Sequence, residues 1–263
     1  MNMCEAYHED YFLAEVTCAL RLTPSMTRVK LKVEGHERYI ATDHADEWVR
    51  LAFSPADGEP VTLPELRDGK WGRFDGSPSC PNRPYTVRRW DPETGAMVVD
   101  LVAHEGGVGA SWAATAKAGD VIGLCNPEGR YEPPQDAEWV LLLADITGLP
   151  AVGRIVEEMR SDMTAIVHVE VSMDADRQVL SSAANLSLTW HCHHGHAEGR
   201  DGPSQLAAIA RSIEALPDGP GYIYIAGEAR CASAARKHFR DTLGFDKRRI
   251  DAVGYWIEGQ ARV

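Results

Sequence analysis

The chain has 263 residues, of which 44% are hydrophobic, so it can build the cores of two compact domains and is not expected to be disordered. Its formal net charge of −12 excludes a broad electrostatic attraction to nucleic acid or anionic lipid, because both require an excess of lysine and arginine. An anionic ligand would therefore have to be held by a local cluster of basic residues.

The cysteines and the apolar stretches predict where the protein works. The six cysteines are scattered and contain no C-x-x-C pair, unlike the disulfide framework of a short secreted chain. Residues 1–10 carry no apolar run, and the most apolar stretch, Trp139–Ala144, is far shorter than the roughly 20 residues that cross a bilayer. We therefore expect a reduced, cytoplasmic protein that acts as a monomer.

The first half of the chain has the pattern of β-strands. Short runs of alternating or β-branched apolar residues are separated by turn pairs such as Glu34-Gly35 and Asp57-Gly58. Because helical periodicity is weak here, these runs predict a small six-stranded antiparallel barrel. The predicted strands are residues 14–22, 28–33, 47–53, 85–90, 97–102 and 120–125.

The second half alternates strands with helices, which predicts a parallel sheet with helical crossovers. Strands are predicted at residues 139–144, 165–171, 186–190, 222–226 and 250–256, and helices at 148–160, 203–216 and 229–243. Ligands of such sheets bind beyond the carboxyl ends of the strands, so residues 145–148 and 227–230 are expected near a site. The change of pattern predicts a barrel domain over residues 1–134 and an α/β domain over residues 135–263.

A motif at the start of one predicted strand indicates a flavin site. Arg83-Pro84-Tyr85-Thr86 resembles the R-x-Y-[ST] flavin motif of ferredoxin-reductase-like flavoenzymes, which share this order of barrel and α/β domain. Arginine can pair with pyrophosphate oxygens, a tyrosine ring can stack on flavin, and a threonine hydroxyl can hydrogen-bond the flavin edge. The alternative is an ordinary strand start, with Pro84 tolerated at its first position.

A second segment, residues 104–120, makes the resemblance more specific. It reads H-E-G-G-V-G-A-S-W-A-A-T-A-K-A-G-D and resembles the H-x(n)-G-P-A-S-x-W-A stretch of the siderophore-interacting protein family, which comprises FAD-dependent ferric-siderophore reductases. Val108-Gly109 stands where the family usually has Gly-Pro. The residues that follow begin a predicted short helix, whose free N–H groups can face a phosphate.

Further matches follow in the family's order. Residues 126–129 stand where G-P-x-G is common, and residues 144–151 resemble the family's D-E-T-A-L-P-A-I segment. Residues 227–229 resemble its G-E-A and residues 254–256 its G-Y-W. The resemblance therefore extends from about residue 17 to residue 259, nearly the whole chain.

The resemblance implies a role for individual residues around FAD and a nicotinamide cofactor. FAD would be held by Arg83, Pro84, Tyr85 and Thr86 and by His104, Ala110, Ser111 and Trp112; Thr147 would lie between the flavin and the nicotinamide, and Gly227 and Glu228 would flank the nicotinamide pocket. Three of these residues have simpler interpretations. Trp112 can be a core aromatic residue, Thr147 an N-cap, and Glu228 a partner of a helix dipole.

The resemblance also implies a ferric siderophore as substrate. Lys247-Arg248-Arg249 is the densest basic run of the chain, and in the family a basic pair in this late loop acts with a lysine near the end of an early barrel strand. We expect Lys247 and Arg248 to bind the substrate, together with Arg50 in place of that lysine. The alternative for the basic run is a solvated turn.

A histidine-rich segment, residues 190–196, raises the question of a metal site. It contains four histidines and one cysteine, but adjacent residues on a strand point to opposite faces, and we expect no metal site. His193 stands where the family often has an arginine that could meet the 2′-phosphate of NADPH. A neutral histidine would bind that phosphate poorly. The resemblance favours NADPH as the cofactor, and NADH is the alternative.

These inferences lead to one leading function and two alternatives. The leading one is a reductase that passes electrons from NAD(P)H through FAD to chelated Fe(III) and releases iron as Fe(II), with no acid–base residue assigned. The alternatives are a flavoprotein reductase with another acceptor and a siderophore-binding module without catalysis.

Overall fold

The computed structural model describes residues 11–54, 59–62, 65–67, 70–72, 80–104, 106–192 and 204–260. The elements of the first half are β1 (Tyr11–Thr23), β2 (Met26–Val33), β3 (Trp48–Ala52), β4 (Glu65–Arg67), β5 (Lys70–Gly72), β6 (Asn82–Asp91), β7 (Ala96–Val102), α1 (Val108–Thr115) and β8 (Val121–Glu128). Those of the second half are β9 (Trp139–Ala144), α2 (Leu149–Glu158), β10 (Thr164–Val171), β11 (Asn185–Cys192), α3 (Leu206–Ser212), β12 (Gly221–Glu228), α4 (Ala229–Lys237) and β13 (Ile250–Trp256).

The first half forms the predicted barrel. Six strands close in the order β1-β2-β7-β6-β3-β8, and every neighbouring pair is antiparallel. The alternation of apolar and polar residues that predicted these strands reflects how they pack. In β2, Val29, Leu31 and Val33 point into the barrel core while Lys30 and Lys32 face solvent. The strands β4 and β5 form a separate two-stranded sheet.

The second half is a five-stranded parallel sheet in the order β11-β10-β9-β12-β13. All six residues of β9 are buried, as expected for a central strand with helices on both faces. The prediction of a barrel followed by a parallel α/β domain is confirmed. No helix in the described part of the chain is long and apolar enough to span a membrane.

Two helices are shorter than their apolar spacing predicts. Among the described residues, the helix predicted at 203–216 is confined to α3, because the chain turns extended at Ile213. Ile213 and Leu216 nevertheless pack against the apolar cluster that includes residues of α3 and α4. The apolar spacing that suggested a longer helix therefore comes from an irregular segment that is also partly buried. The helix predicted at 229–243 ends as α4 at Lys237 and continues as a π-helical turn, His238–Thr242.

A buried carboxylate connects the two halves. Asp46, which precedes β3 and is fully buried, accepts hydrogen bonds from the backbone N–H groups of Arg130 and Tyr131, each at 2.8 Å. It also accepts one from the hydroxyl of Tyr224 on β12, at 2.9 Å. Because Asp46 holds the barrel, the connecting segment and the sheet together, it fixes how the sheet lies against the barrel.

Two further polar contacts hold the halves at other points. Asp176 is fully buried and accepts three hydrogen bonds of 2.8 Å from Thr23 and Ser25 in the β1–β2 turn. Arg88 of β6 forms a bidentate ion pair with Glu157 of α2, at 2.5 and 2.7 Å. Three separate attachments therefore keep the edge of the parallel sheet facing the barrel.

Candidate functional site

A cleft of about 2020 Å³ separates the barrel from the carboxyl edge of the parallel sheet. The start of β6 and the first turn of α1 line one wall, which we call the barrel wall. The ends of β9, β10 and β13 and one face of α3 line the other, which we call the sheet wall. The cleft brings together nine of the predicted site residues: Arg50, Arg83, Pro84, Tyr85, Thr86, His104, Ala110, Ser111 and Thr147.

Tyr85 shapes the barrel wall through its contacts with α1 and the core. Its ring packs edge-to-face on Phe53, with centroids 6.2 Å apart, and burial raises the pKa of its hydroxyl to about 12. A Cβ on Gly109 would overlap the Tyr85 hydroxyl, so only glycine allows α1 to approach this strand. The second glycine of the G-V-G segment, residues 107–109, is therefore required for the shape of the barrel wall.

Thr86 carries a polar atom that the protein does not satisfy. The residue is 4% exposed, and its Oγ1 has no hydrogen-bond partner among the described residues. Tyr255 is the nearest polar neighbour to consider, because burial raises the pKa of its hydroxyl to about 12 and the Thr86 side chain opposes that rise. A buried hydroxyl of this kind is costly unless a ligand completes its hydrogen bond.

The first turn of α1 presents backbone N–H groups to the cleft. Gly107 is its N-cap, and the backbone N–H of Ser111 donates to the Gly107 carbonyl at 2.8 Å, so the N–H groups before it have no partner within the helix. His104 lies against Gly107, with its Nδ1 3.2 Å from the Val102 carbonyl. This arrangement suits an anionic group such as a phosphate.

Arginines give the barrel wall a positive charge. Arg50 donates to the Asn82 side chain at 3.1 Å, and Arg83 donates to the Asn82 carbonyl at 2.7 Å. Arg130, after the end of β8, lines the same cleft and was not predicted; its only indication in the sequence is its place directly after Gly129 of the 126–129 match. A protein of net charge −12 thus has the local basic cluster that an anionic ligand would require.

Asp145 organises the sheet wall. It directly follows β9, and its carboxylate accepts hydrogen bonds from the backbone and hydroxyl of Thr147, at 2.8 and 2.5 Å. It also accepts from the backbone of Glu228 at 2.9 Å and from Trp256 Nε1 at 2.8 Å, so it joins the ends of three strands. Burial raises the pKa of Asp145 above its ordinary value. The sequence placed residues 145–148 near a site but assigned no role to this carboxylate.

Of the three residues predicted for the sheet wall, one lines the cleft and two do not. Thr147 lines the cleft, but its hydroxyl is held by Asp145 and the N-cap of α2 is Gly148. Gly227 and Glu228 do not line the cleft: Gly227 lies against Asp145, and Glu228 is buried and caps α4 by accepting from the Cys231 backbone at 2.7 Å. These two residues lie behind the cleft lining, where both contact Asp145 and Glu228 caps α4.

Glu170 and its neighbours were missed by the sequence reasoning. Glu170, near the end of β10, is 6% exposed, lines the cleft and accepts hydrogen bonds of 2.9 Å from the Ser204 hydroxyl and the Gln205 backbone. The Cys231 thiol donates to the Ser204 carbonyl at 3.2 Å, and burial raises its pKa to about 11. The location of Glu170 at a strand end was the one available indication.

Trp112 does not line the cleft, and its predicted role at FAD stays a prediction. Its ring packs against Phe53 with centroids 5.4 Å apart and joins the barrel core. On α1, the residues that face the cleft are Ala110 and Ser111, and the helix turns Trp112 away from them. Its interpretation as a core aromatic residue agrees with this position.

The basic run at 247–249 does not line the cleft, and the roles of Lys247 and Arg248 in binding the substrate stay a prediction. The run precedes β13, whose residues from Ala252 onward line the cleft. Arg248 is exposed and pairs with Asp246 at 2.8 Å, and Arg249 pairs with Asp136 at 2.7 Å. The interpretation as a solvated turn therefore describes this segment better.

The histidine-rich segment is described only in part. His191 Nε2 lies 3.0 Å from His168 Nδ1 on the neighbouring strand, while residues 193–196 lie outside the described residues. Within the described ranges, no group of three or more potential ligands could hold a metal ion.

Comparisons with known proteins identify both halves. The chain matches the family model for the siderophore-interacting FAD-binding domain over residues 15–131 and the model for the siderophore-interacting protein over residues 137–259. A ferric vibriobactin reductase of Vibrio cholerae is 30% identical over 216 residues, which cover 79% of this chain and 76% of that protein.

Solved structures agree with this relationship. A siderophore utilization protein from T. fusca has a TM-score of 0.84 and 31% identity, covering 96% of this chain and 95% of its own. A ferredoxin NADP+ reductase from Neisseria gonorrhoeae shares the fold, with a TM-score of 0.63 at 14% identity over 94% of this chain and 99% of its own. The chain therefore belongs to the siderophore-interacting protein family, and its barrel is the FAD-binding domain of that family.

Proposed function

We propose that this protein is an FAD-dependent reductase that passes electrons from NAD(P)H to the Fe(III) of a ferric siderophore and releases the iron as Fe(II). The observation that carries the proposal is the single cleft, in which the flavin motif Arg83–Thr86 and the start of α1 face the carboxyl edge of a parallel sheet. A flavin and a nicotinamide cofactor can therefore meet in one enclosed space. The ferric vibriobactin reductase among the relatives supports the same reaction class.

The barrel wall fits FAD residue by residue. Arg83 would pair with the pyrophosphate, and the free N–H groups at the start of α1 would complete the phosphate site. The Thr86 hydroxyl, which is buried and finds no partner within the described ranges, would hydrogen-bond a polar atom of the ligand. When bound, FAD accepts two electrons as a hydride and returns them singly, so one NAD(P)H can reduce two ferric ions.

The sheet wall would receive the nicotinamide cofactor. Asp145 fixes Thr147 and Trp256, both of which line the cleft, so their side chains are already oriented before a ligand arrives. We assign residues 1–134 to the flavin and residues 135–263 to the nicotinamide cofactor.

Arg50 and Arg130 would attract the ferric siderophore, which is often anionic. Both line the barrel side of the cleft, next to the flavin motif, and Arg50 is paired across strands with Pro84 of that motif. Their charge would act where the protein as a whole repels anions.

We place this reaction in a reducing compartment, the cytoplasm, and expect a monomer. Cys18, Cys80, Cys192 and Cys231 are free thiols. One chain contributes both walls of the cleft, so the proposed reaction requires no second copy.

An anaerobic absorbance experiment tests the proposal. The FAD-loaded protein is reduced with NAD(P)H and mixed with ferric hydroxamate, catecholate or citrate chelates while the flavin band and an Fe(II) trap are followed. We expect reoxidation of the flavin with stoichiometric Fe(II). Failure to take up FAD, or to be reduced by either nicotinamide cofactor, would refute the proposal.

The position of the basic run favours one alternative, a flavoprotein reductase with another acceptor. Lys247 and Arg248 lie away from the cleft and so leave fewer cations for a siderophore than expected. A flavin that is reduced by NAD(P)H but stays reduced with all three chelates would establish this alternative. Tight chelate binding without reduction would instead indicate a binding module.

A further inference from the structure

Two tyrosine hydroxyls connect the cleft with the buried carboxylate between the halves of the molecule. Tyr255, near the end of β13, lines the cleft, and its hydroxyl lies 3.3 Å from that of Tyr224 on the neighbouring strand β12. The Tyr224 hydroxyl donates to the Asp46 carboxylate at 2.9 Å. We call these three residues the tyrosine network. It extends from the cleft lining to the group that holds the sheet against the barrel.

The middle member of the tyrosine network is fixed in place. Tyr224 is fully buried, and its ring packs edge-to-face against Tyr131 with centroids 5.7 Å apart. The backbone N–H of Tyr131 donates to the same Asp46 carboxylate. Burial raises the pKa of Tyr224 well above its ordinary value and that of Tyr255 to about 12, so both hydroxyls keep their protons at neutral pH.

The carboxylate at the inner end sets the direction of the hydrogen bonds in the tyrosine network. An ionised carboxylate only accepts, so the single proton of the Tyr224 hydroxyl is committed to Asp46. Tyr224 then has no second proton to offer, and the contact between the two hydroxyls is donated by Tyr255. With its own proton directed inwards, the Tyr255 oxygen can accept a hydrogen bond from the cleft side but cannot donate one there.

This acceptor lies beside the flavin motif. Thr86 of the motif lines the same cleft, and its side chain opposes the rise in the pKa of Tyr255, which is the effect of a neighbouring hydroxyl. The N5 atom of oxidised flavin presents a lone pair, whereas the hydride that reduces it, two electrons and a proton, turns N5 into an N–H donor. A fixed acceptor near this edge therefore distinguishes the two forms, because it can bond only to the reduced one.

We infer that Tyr224 and Asp46 are positioning residues that hold Tyr255 as a fixed acceptor for reduced flavin and thereby raise the midpoint potential of bound FAD. The inference rests on the proposed function, in which the flavin motif holds FAD in this cleft. A higher potential favours reduction of the flavin by the nicotinamide cofactor and leaves less driving force for reduction of Fe(III). The tyrosine network thus sets the balance between the two halves of the proposed reaction.

The midpoint potential of the bound flavin tests this inference in variants that change no charge. FAD-loaded protein is reduced with dithionite in equilibrium with a reference dye, and the absorbance of both is followed. We expect Tyr255→Phe to weaken the binding of reduced relative to oxidised FAD by about tenfold, which lowers the potential of this two-electron couple by about 30 mV. Tyr224→Phe should lower the potential by a similar amount, because it releases the Tyr255 proton towards the cleft.

Tyr222→Phe is the matched control. Tyr222 lies two residues before Tyr224 on β12, packs against Tyr131 with centroids 5.6 Å apart and donates to the Asp251 carboxylate, but it does not line the cleft. Its loss should lower the free energy of unfolding and leave the potential unchanged. If Tyr224→Phe behaves in the same way, Tyr224 only holds the halves together and the inference is wrong.

Two further results bear on the tyrosine network itself. An unchanged potential in Tyr255→Phe would overturn the inference, whether or not Tyr224→Phe folds. The double variant Tyr224→Phe/Tyr255→Phe should have the potential of Tyr255→Phe, since Tyr224 acts through Tyr255. A potential well below that value would show that Tyr224 acts by another route and would also overturn the inference.

The dye titration separates this inference from the proposed function, because it uses neither a nicotinamide cofactor nor a siderophore. Shifted potentials in a protein that reduces no ferric chelate would refute the proposed function alone. Turnover with ferric chelates but unshifted potentials in the variants would refute the inference alone. A wild type that takes up no FAD would refute both.

Discussion

The two walls of the cleft carry different charged groups and are built by different means. The barrel wall takes its groups from strands whose alternate side chains fill the barrel core, so Arg83 and Tyr85 are positioned by the strand itself. The sheet wall takes its groups from the ends of strands, and Asp145 holds these ends together. Four of the arginines that line the cleft lie on the barrel side, whereas the buried carboxylates Asp145 and Glu170 border the sheet wall, so the two walls offer a ligand different groups.

The largest effect is expected when the sheet wall loses the Asp145 carboxylate that joins its strand ends. Asp145→Ala would leave four buried or partly buried donors, two on Thr147 and one each on Glu228 and Trp256, without their acceptor. We expect a loss of about 3 kcal/mol or more in the free energy of unfolding, measured by denaturant titration. Asp136→Ala, which removes an exposed carboxylate paired with Arg249, should cost no more than about 1 kcal/mol. Equal losses in the two variants would show that Asp145 does not organise the wall.

The barrel wall depends instead on close approach. Gly109→Ala would place a methyl group on the Tyr85 hydroxyl and push α1 away from β6. We expect FAD to bind at least about tenfold more weakly, measured by flavin fluorescence titration. Gly106→Ala is the comparison variant, because a Cβ there meets no atom within 4 Å, although an alanine would be strained at φ 76°. A smaller effect at Gly106 assigns the loss at Gly109 to the overlap with Tyr85.

The barrel wall was also the easier wall to predict from sequence. The motif 83–86 and the start of α1 are contiguous segments, so their chemistry is visible without tertiary structure. The parallel sheet was predictable from its alternating elements, and with it the location of a site at the strand ends.

The sheet wall shows what the sequence could not reveal. Asp145 draws its partners from positions up to 111 residues away, and Glu170 meets Ser204 across 34 residues, so neither network has a local pattern. Lys247 and Arg248 are the opposite case, because a conspicuous charge run suggested a ligand although neither residue lines the cleft. The direction of β13 places that run at the amino end of the strand, away from the cleft.

The cationic character of the barrel wall can be tested by charge reversal. We expect the double variant Arg50→Glu/Arg130→Glu to raise KM for an anionic ferric siderophore by about tenfold or more, because the cleft would then repel the anion that it attracts in the wild type. Reduction of the flavin by the nicotinamide cofactor should change little, which stopped-flow absorbance can verify. Arg248→Glu is the matched control outside the cleft, and an equal effect there would return the basic run to the substrate site.

Thr86 gives the smallest expected effect but the most direct link between wall and ligand. Thr86→Val keeps the shape and removes a hydroxyl that has no partner among the described residues, so the FAD-free protein should be as stable as wild type or slightly more stable. In the FAD-bound protein the same change should cost one hydrogen bond, about 1 kcal/mol or a severalfold higher Kd. Thr115→Val, at the exposed end of α1, should alter neither quantity. Without a ligand, the buried hydroxyl has a desolvation cost that no hydrogen bond offsets, so the stability of the FAD-free protein and its affinity for FAD should change in opposite directions. A loss of both would show that Thr86 stabilises the barrel core rather than the bound flavin.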